Sequence, residues 1–196
     1  NLIMDGYIKF GNYWFAAYGR TVGIIVMYLF DYLKIHVDVY IFIMKVFSIF
    51  IATCTVYIFS NMCFNKFKNS NIYQRIIIII ASLITFLNIG SYQYFYYAES
   101  AIMWLGVLLT VIAVKYTINE NDKFRYVKSF ILLFLAMNCY QATILLYIPM
   151  MILFIGIEKK TIKNIIIDTS KLMILVAICL LSGYAIIKGL NNYFDI

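Results

Sequence analysis

Residues 124–157 read FRYVKSFILLFLAMNCYQATILLYIPMMILFIGI, and the fold turns on how often this stretch crosses a membrane. A helix needs about 20 mostly apolar residues to traverse a hydrocarbon core of about 30 Å. The stretch therefore crosses once with residues to spare, or twice as two short helices broken near Asn138-Cys139-Tyr140-Gln141. Charge decides between these. Lys123, Arg125 and Lys128 stand at its start, and Glu158, Lys159, Lys160, Lys163 and Lys171 follow its end. Basic loops stay in the cytoplasm, so both ends face inward and the chain between them goes out and returns. Each arm has only about 14 to 17 residues, which puts the turn low in the outer leaflet or in a cavity shielded by protein. Pro149 is expected to kink the second arm and free a carbonyl.

Outward from this hairpin, Val39–Ser60, Tyr73–Gly90, Ala101–Tyr116 and Leu172–Leu190 read as further spans. The fold class expected is all-α, a polytopic transmembrane bundle of about six spans near 39–60, 73–90, 101–116, 125–138, 142–157 and 172–190. Lys66, Lys68 and Arg75 mark a second cytoplasmic loop, whereas Ser91–Ser100 holds no Lys or Arg and reads as outer. The same alternation puts residues 1–37 outside, with Thr21–Ile35 as an interfacial helix along the membrane surface. On it, Asp31 with Lys34 and Lys34 with Asp38 have helical pair spacing, worth a few tenths of a kcal/mol. No repeat or linker divides the chain, so residues 1–196 form a single membrane domain.

Composition agrees: 64% of residues are hydrophobic and 13% charged, against roughly a quarter charged in soluble domains. The net charge of +7 sits in short clusters between apolar runs, the pattern of orientation signals and not of nucleic-acid binding. Cys54, Cys63, Cys139 and Cys179 lack CxxC spacing and read as small buried hydrophobes. His36 is the single histidine, so a histidine metal site is not expected, and no cofactor is. Asn1 is not a start methionine and no basic leader precedes it, so a fragment or processed product is expected.

On this topology the polar groups gather outside. Asp5, Lys9, Trp14, Arg20, Tyr92, Tyr94, Tyr96, Glu99 and Gln141 come from three outer segments. A carboxylate beside a low-dielectric cavity serves as a general base, an aromatic face stacks on a sugar ring, and a guanidinium or ammonium holds a phosphate. Each residue also has an ordinary explanation. Asp5 reads equally well as a solvated loop carboxylate, the tyrosines as an interfacial belt, and Glu99 as the complement of a helix N-terminus. Lys45 lies about six residues, or 9 Å, inside its span, where a charge either snorkels outward or meets a ligand.

In order and spacing, Asp5-Gly6-Tyr7-Ile8-Lys9, Trp14, Gly19-Arg20, Tyr97-Ala98-Glu99-Ser100 and Cys139-Tyr140-Gln141-Ala142-Thr143 resemble motifs of the bacterial membrane glucosyltransferase II family, which decorates O-antigen and related surface glycans. The resemblance runs from about Met4 to about Ile157. It departs at Gly6, where a second acid is expected, at Lys9 for arginine, at Glu99 for aspartate, and in the missing proline after Arg20. It implies a GT-C-like enzyme in the cytoplasmic membrane, moving glucose from a polyprenyl-phosphate donor to a surface glycan on the outer side. By the same resemblance Asp5 is the leading base and Glu99 its support. Arg20, Lys9 and Lys45 bind the donor phosphate, and Gln141, Tyr140 and Trp14 the acceptor. No nucleotide-binding glycine loop is needed, and none follows a strand here.

Two other functions fit the same chain. A transporter or flippase of lipid-linked sugar wants polar groups at mid-membrane and a repeated half, which this sequence lacks. A noncatalytic membrane subunit accounts for Gly6 and the short length.

Overall fold

A computed structural model of the chain describes residues 21–67, 71–87, 99–157 and 162–194. Among the described residues all regular structure is helical: α1 (Thr21–Tyr32), α2 (Val37–Lys66), α3 (Ile72–Phe86), α4 (Ser100–Thr117), α5 (Arg125–Cys139), a 3₁₀ turn (Gln141–Thr143), α6 (Ile144–Ile157) and α7 (Ile162–Phe194). Three are long and apolar enough to cross a membrane: α2, α4 and the Asn164–Gly189 part of α7. Their surfaces support that solvent. Ile76, Ile77, Ile80 and Ile84 on α3 and Ile174 and Leu181 on α7 are exposed, apolar faces that water penalises and lipid does not.

The centre is α4. In its most apolar stretch 67% of residues are buried, against 28% in those of α2 and α7, and α2, α5 and α6 pack against it. Gly106 lets α5 and the 3₁₀ turn come close: a Cβ there would lie 3.0 Å from Thr143 Cγ2, 3.2 Å from the Ala136 carbonyl oxygen and 3.3 Å from Cys139 Cβ. Small residues set such close crossings between helices that share an apolar solvent. Opposite this contact, at the far end of α4, Thr117 Oγ1 lies 2.7 Å from Ser129 Oγ of α5 and 2.7 Å from Tyr147 OH of α6. Thr117 Oγ1 and Ser129 Oγ also both donate to the Ala113 carbonyl, each at 2.9 Å. Buried hydroxyls thus find partners on three helices, as they must where water is absent.

These two contacts fix direction. The start of α5 meets the end of α4, and the turn after α5 meets Gly106, so α5 runs antiparallel to α4 and α6 comes back alongside it. The expected hairpin is present. α5 stops at Cys139, Tyr140 is extended (φ −160°, ψ 111°), and the 3₁₀ turn leads into α6. Fifteen and fourteen residues give the arms lengths of about 22 and 21 Å. Each falls short of a full core thickness, and the turn is shielded, with Asn138, Cys139 and Thr143 buried. Pro149 lies inside α6, where it cannot donate to the Leu145 carbonyl.

Several boundaries differ from the sequence reading. The last helix begins at Ile162, ten residues before the expected span at Leu172–Leu190, because Asp168 and Lys171 sit in helical backbone that propensity tolerates. α3 ends at Phe86, and residues 88–90 of its expected span lie outside the described residues. Its start is a reciprocal cap: Asn71 Oδ1 accepts from Gln74 N at 2.9 Å, and Gln74 Oε1 accepts from Asn71 N at 3.0 Å. α1 occupies the expected Thr21–Ile35 region but stops at Tyr32, and Lys34 takes a left-handed conformation (φ 54°). That break removes the helical geometry of the Asp31–Lys34 and Lys34–Asp38 spacings. The pairing observed there is His36 Nδ1 with Asp38 Oδ2 at 3.2 Å.

Candidate functional site

The α4 N-terminus is tied to α2 by one buried contact. Ser100 Oγ donates to the Met44 carbonyl at 3.4 Å. Their chain neighbours are Glu99 and Lys45, and Glu99 lies within electrostatic range of both Lys45 and Tyr40. Lys45 is partly buried. A carboxylate at the start of α4 and a cation of α2 thus lie on the same side of the Ser100–Met44 contact, near enough to feel each other's charge.

The hairpin turn belongs to the same end of the bundle. Cys139 shares an apolar cluster with Tyr40, Met44, Ala101 and Ile102. Gly106, against which the turn rests, is six residues beyond Ser100, so the turn sits about 9 Å along α4 from its start. Tyr140 and Gln141 are half-buried there. α1 closes the arrangement from the side. Its Thr21 Oγ1 donates to Asn138 Oδ1 at 2.6 Å, Asn138 Nδ2 donates back to the Phe134 carbonyl at 2.8 Å, and Phe30 meets the Tyr40 ring edge-on at 4.9 Å.

Of the residues singled out from sequence, Glu99 and Lys45 lie within electrostatic range of each other, and Tyr140 and Gln141 follow the hairpin turn that rests on Gly106 of the same helix. Asp5, Lys9, Trp14 and Arg20, with Tyr92, Tyr94 and Tyr96, lie outside the described residues. Sequence reasoning did not single out Tyr40 or Thr21. Asn138 carried a readable signal, an amide inside an apolar run, which in lipid needs a partner on another helix. Tyr40 carried none, because its spacing is that of an ordinary interfacial aromatic.

At the opposite end the charges are of another kind. Asp122 Oδ2 pairs with Lys128 Nζ at 2.6 Å, and its Oδ1 accepts from Phe124 N at 2.9 Å. The Lys128 hydrogen bond, with the Phe124 amide second, holds the Asp122 carboxyl below its usual range. This pair organises a loop and lines no pocket with Glu99. Among the described residues no group of three or more His, Cys, Asp or Glu side chains is placed to hold a metal.

Among the described residues, fold and site together define an all-helical protein with three helices long and apolar enough to cross a membrane and a carboxylate and an ammonium near one end. No protein-family model matches it, and neither a curated protein nor a solved structure does.

Proposed function

We propose that the chain is a polytopic glycosyltransferase of the cytoplasmic membrane, moving a hexose, by resemblance glucose, from a polyprenyl-phosphate donor to a surface glycan outside. The single observation that carries the proposal is the Glu99–Lys45 corner, held by the Ser100–Met44 contact and sharing its end of the bundle with Tyr140 and Gln141. In this reading α2 to α7 make six crossings, α5 and α6 being the short pair, and the Asp122–Lys128 end faces the cytoplasm by its basic charge. The corner then faces outward, with α1 beside it at the interface.

The reaction follows from what such a corner offers. A carboxylate takes the proton of an acceptor hydroxyl as that oxygen attacks the anomeric carbon. The bond from the anomeric carbon to the phosphate oxygen breaks, and the lipid phosphate departs with the electron pair. Asp5 is the first candidate for the base on the motif resemblance, with Glu99 beside it. Lys45, with Lys9 and Arg20, stabilises the charge that gathers on the leaving phosphate. Trp14, Tyr140 and Gln141 orient the acceptor.

The test is transfer by the full chain, reconstituted in vesicles with radiolabelled polyprenyl-phosphate glucose and surface glycan. Transfer is expected, and Asp5→Asn and Glu99→Gln each reduce it by about 10²-fold or more, the scale of a lost acid–base group, with unfolding unchanged. Label crossing the bilayer without a new glycosidic bond makes the protein a transporter. Neither transfer nor translocation makes it a noncatalytic subunit.

A further inference from the structure

The two ends of α1 are fixed by different means. At its start Thr21 Oγ1 donates to Asn138 Oδ1, and among the described residues this is the single side-chain hydrogen bond from α1 to another helix. At its finish the backbone makes a Schellman turn: Ile35 N donates to the Phe30 carbonyl at 3.1 Å, and Lys34 N to the Asp31 carbonyl at 2.8 Å. Such a turn needs a left-handed residue just past the helix, a place that glycine fills without steric cost. Here the residue is Lys34, at φ 54° and with its side chain exposed. A lysine held there is strained, and the strain is released once its φ turns negative.

Between these ends α1 is docked by one face. Val22, Val26 and Phe30 pack on the apolar cluster that holds Tyr40 and Cys139, whereas Ile25, Leu29 and Tyr32, at helical spacing on another face, are exposed. Among the described residues none of α1 joins the main apolar core around Trp104, Val111 and Phe154. α1 can therefore part from the bundle without breaking that core, as elements of low local stability do. What it covers is the approach to the polar end: Tyr40 and Cys139 are buried, and Tyr40 lies within range of the Glu99 charge.

We infer that α1 is a hinged lid, turning about Lys34 and latched shut by Thr21 on Asn138, over Tyr40 and Cys139 beside the Glu99 end. Hinges absorb a large backbone change at one or a few residues where an element ends, and the left-handed Lys34 is placed for that change. The latch stands at the far end of α1 from the hinge, where it has the most leverage. The inference goes beyond the transferase reading and does not rest on it, because opening is a property of α1 whatever enters.

Two native thiols make the test. Cys139 lies in the cluster on which α1 packs, and Cys179 lies in the main core, so the first reports the lid and the second global unfolding. The full chain carrying Cys54→Ser, in detergent micelles, is treated with N-ethylmaleimide, and the rate at each cysteine is read by peptide mass spectrometry. Each rate is scaled to that of the same cysteine in protein unfolded by dodecyl sulfate. On that scale Cys139 is expected to react at least about tenfold faster than Cys179. Thr21→Val removes the latch and should raise the Cys139 rate about tenfold, whereas Thr21→Ser keeps the hydroxyl and should stay within about twofold, with Cys179 unchanged in both. At the hinge, Lys34→Gly should slow Cys139 about fivefold and Lys34→Val, whose branched Cβ disfavours positive φ, should speed it about fivefold. Equal acceleration of Cys139 and Cys179 in Thr21→Val would mean that the whole bundle loosens. A Cys139 rate indifferent to the Lys34 series, or no faster than Cys179 in the parent, would make α1 a fixed part of the core. Any of these three results overturns the lid. Since neither donor nor acceptor is present, their outcome is separate from sugar transfer: a lid without transfer sinks the transferase alone, and transfer without a lid sinks the lid alone.

Discussion

Gly106→Ala should destabilise the protein, although alanine is the better helix former. Replacing glycine in a helix interior gains about 1 kcal/mol from backbone entropy. Against that gain, the new Cβ would stand 3.0, 3.2 and 3.3 Å from Thr143 Cγ2, the Ala136 carbonyl oxygen and Cys139 Cβ. The second of these is backbone within α5 and moves only if the helix does. Overpacking of a close-packed contact costs about 1–3 kcal/mol, so the net effect runs from near zero to a loss of about 2 kcal/mol. Thr143→Ser sharpens the test by removing the nearest methyl while keeping the hydroxyl that donates to the Tyr140 carbonyl at 2.7 Å. Combined with Gly106→Ala it should recover about 0.5–1 kcal/mol relative to additivity, above the 0.3–0.5 kcal/mol scatter of independent sites. Equilibrium unfolding from mixed micelles by added dodecyl sulfate measures all four corners of the cycle. A Gly106→Ala protein more stable by the full helix-propensity gain, with no coupling to Thr143, would refute the close approach of α4 to the turn. The approach of Tyr140 and Gln141 to the Glu99 corner would lose its basis with it.

The buried hydroxyl centre gives a second cycle. Thr117→Val strands the Tyr147 hydroxyl and should cost about 1–3 kcal/mol, Tyr147→Phe about 0.5–1.5 kcal/mol, and the double variant no more than Thr117→Val alone, read from the same unfolding titrations. At the loop, the hydrogen bond from Lys128 depresses the Asp122 pKa. The pair's contribution is therefore present above the unfolded carboxyl value and is lost as pH falls through the lower folded one. Lys128→Met should move the Asp122 midpoint, followed by carbon NMR, upward, and an unchanged midpoint would assign the depression to the Phe124 amide instead. Sidedness is checked with Cys54→Ser as background, because Cys63, Cys139 and Cys179 are buried. A membrane-impermeant maleimide added outside should label Glu99→Cys and spare Asp122→Cys. The reverse order would turn the protein over and leave the corner in the cytosol.

How far the sequence carried this result depends on which forces act over short range. The break at Asn138–Gln141 was legible because Asn138 and Gln141 interrupt an apolar run too long for one crossing, and α5 does end at Cys139. The approach of Lys45 to Glu99 was half legible. An intramembrane lysine announces a need for a partner, but the partner depends on how α2 meets α4, which residues 54 positions apart cannot encode locally. Gly106 and the Thr117–Ser129–Tyr147 centre were not legible at all, since a glycine, two small hydroxyls and one tyrosine in apolar runs look the same whether they face lipid or one another. The helix that carries the last expected span starts ten residues before it for a different reason. Hydropathy marks where a helix enters lipid, whereas the helix itself continues wherever backbone bonds are intact, and Asp168 and Lys171 ride on that extension.

A short hairpin explains why the corner forms where it does. Arms of about 21 and 22 Å cannot span about 30 Å of hydrocarbon unaided. If α5 and α6 cross as proposed, the extended Tyr140 backbone lies below the level of the Glu99 end and needs cover from protein. That cover comes from α1, through the Thr21–Asn138 bond, and from α2, through the cluster of Tyr40 and Met44 with Cys139. The elements that shield the turn are the ones that carry or adjoin Lys45 and Glu99, so on the proposed topology covering the broken backbone and gathering the polar side chains are one structural event. Lengthening the hairpin should separate them. Inserting one helical turn of four leucines after Leu133 and another after Leu145 would raise the turn by about 6 Å, uncover Tyr140 and Gln141 and relieve α1 of its cover. The expected result is a folded protein in which residues 21–32 become susceptible to added protease. Unchanged protection of that segment would mean that α1 is held by something other than the turn.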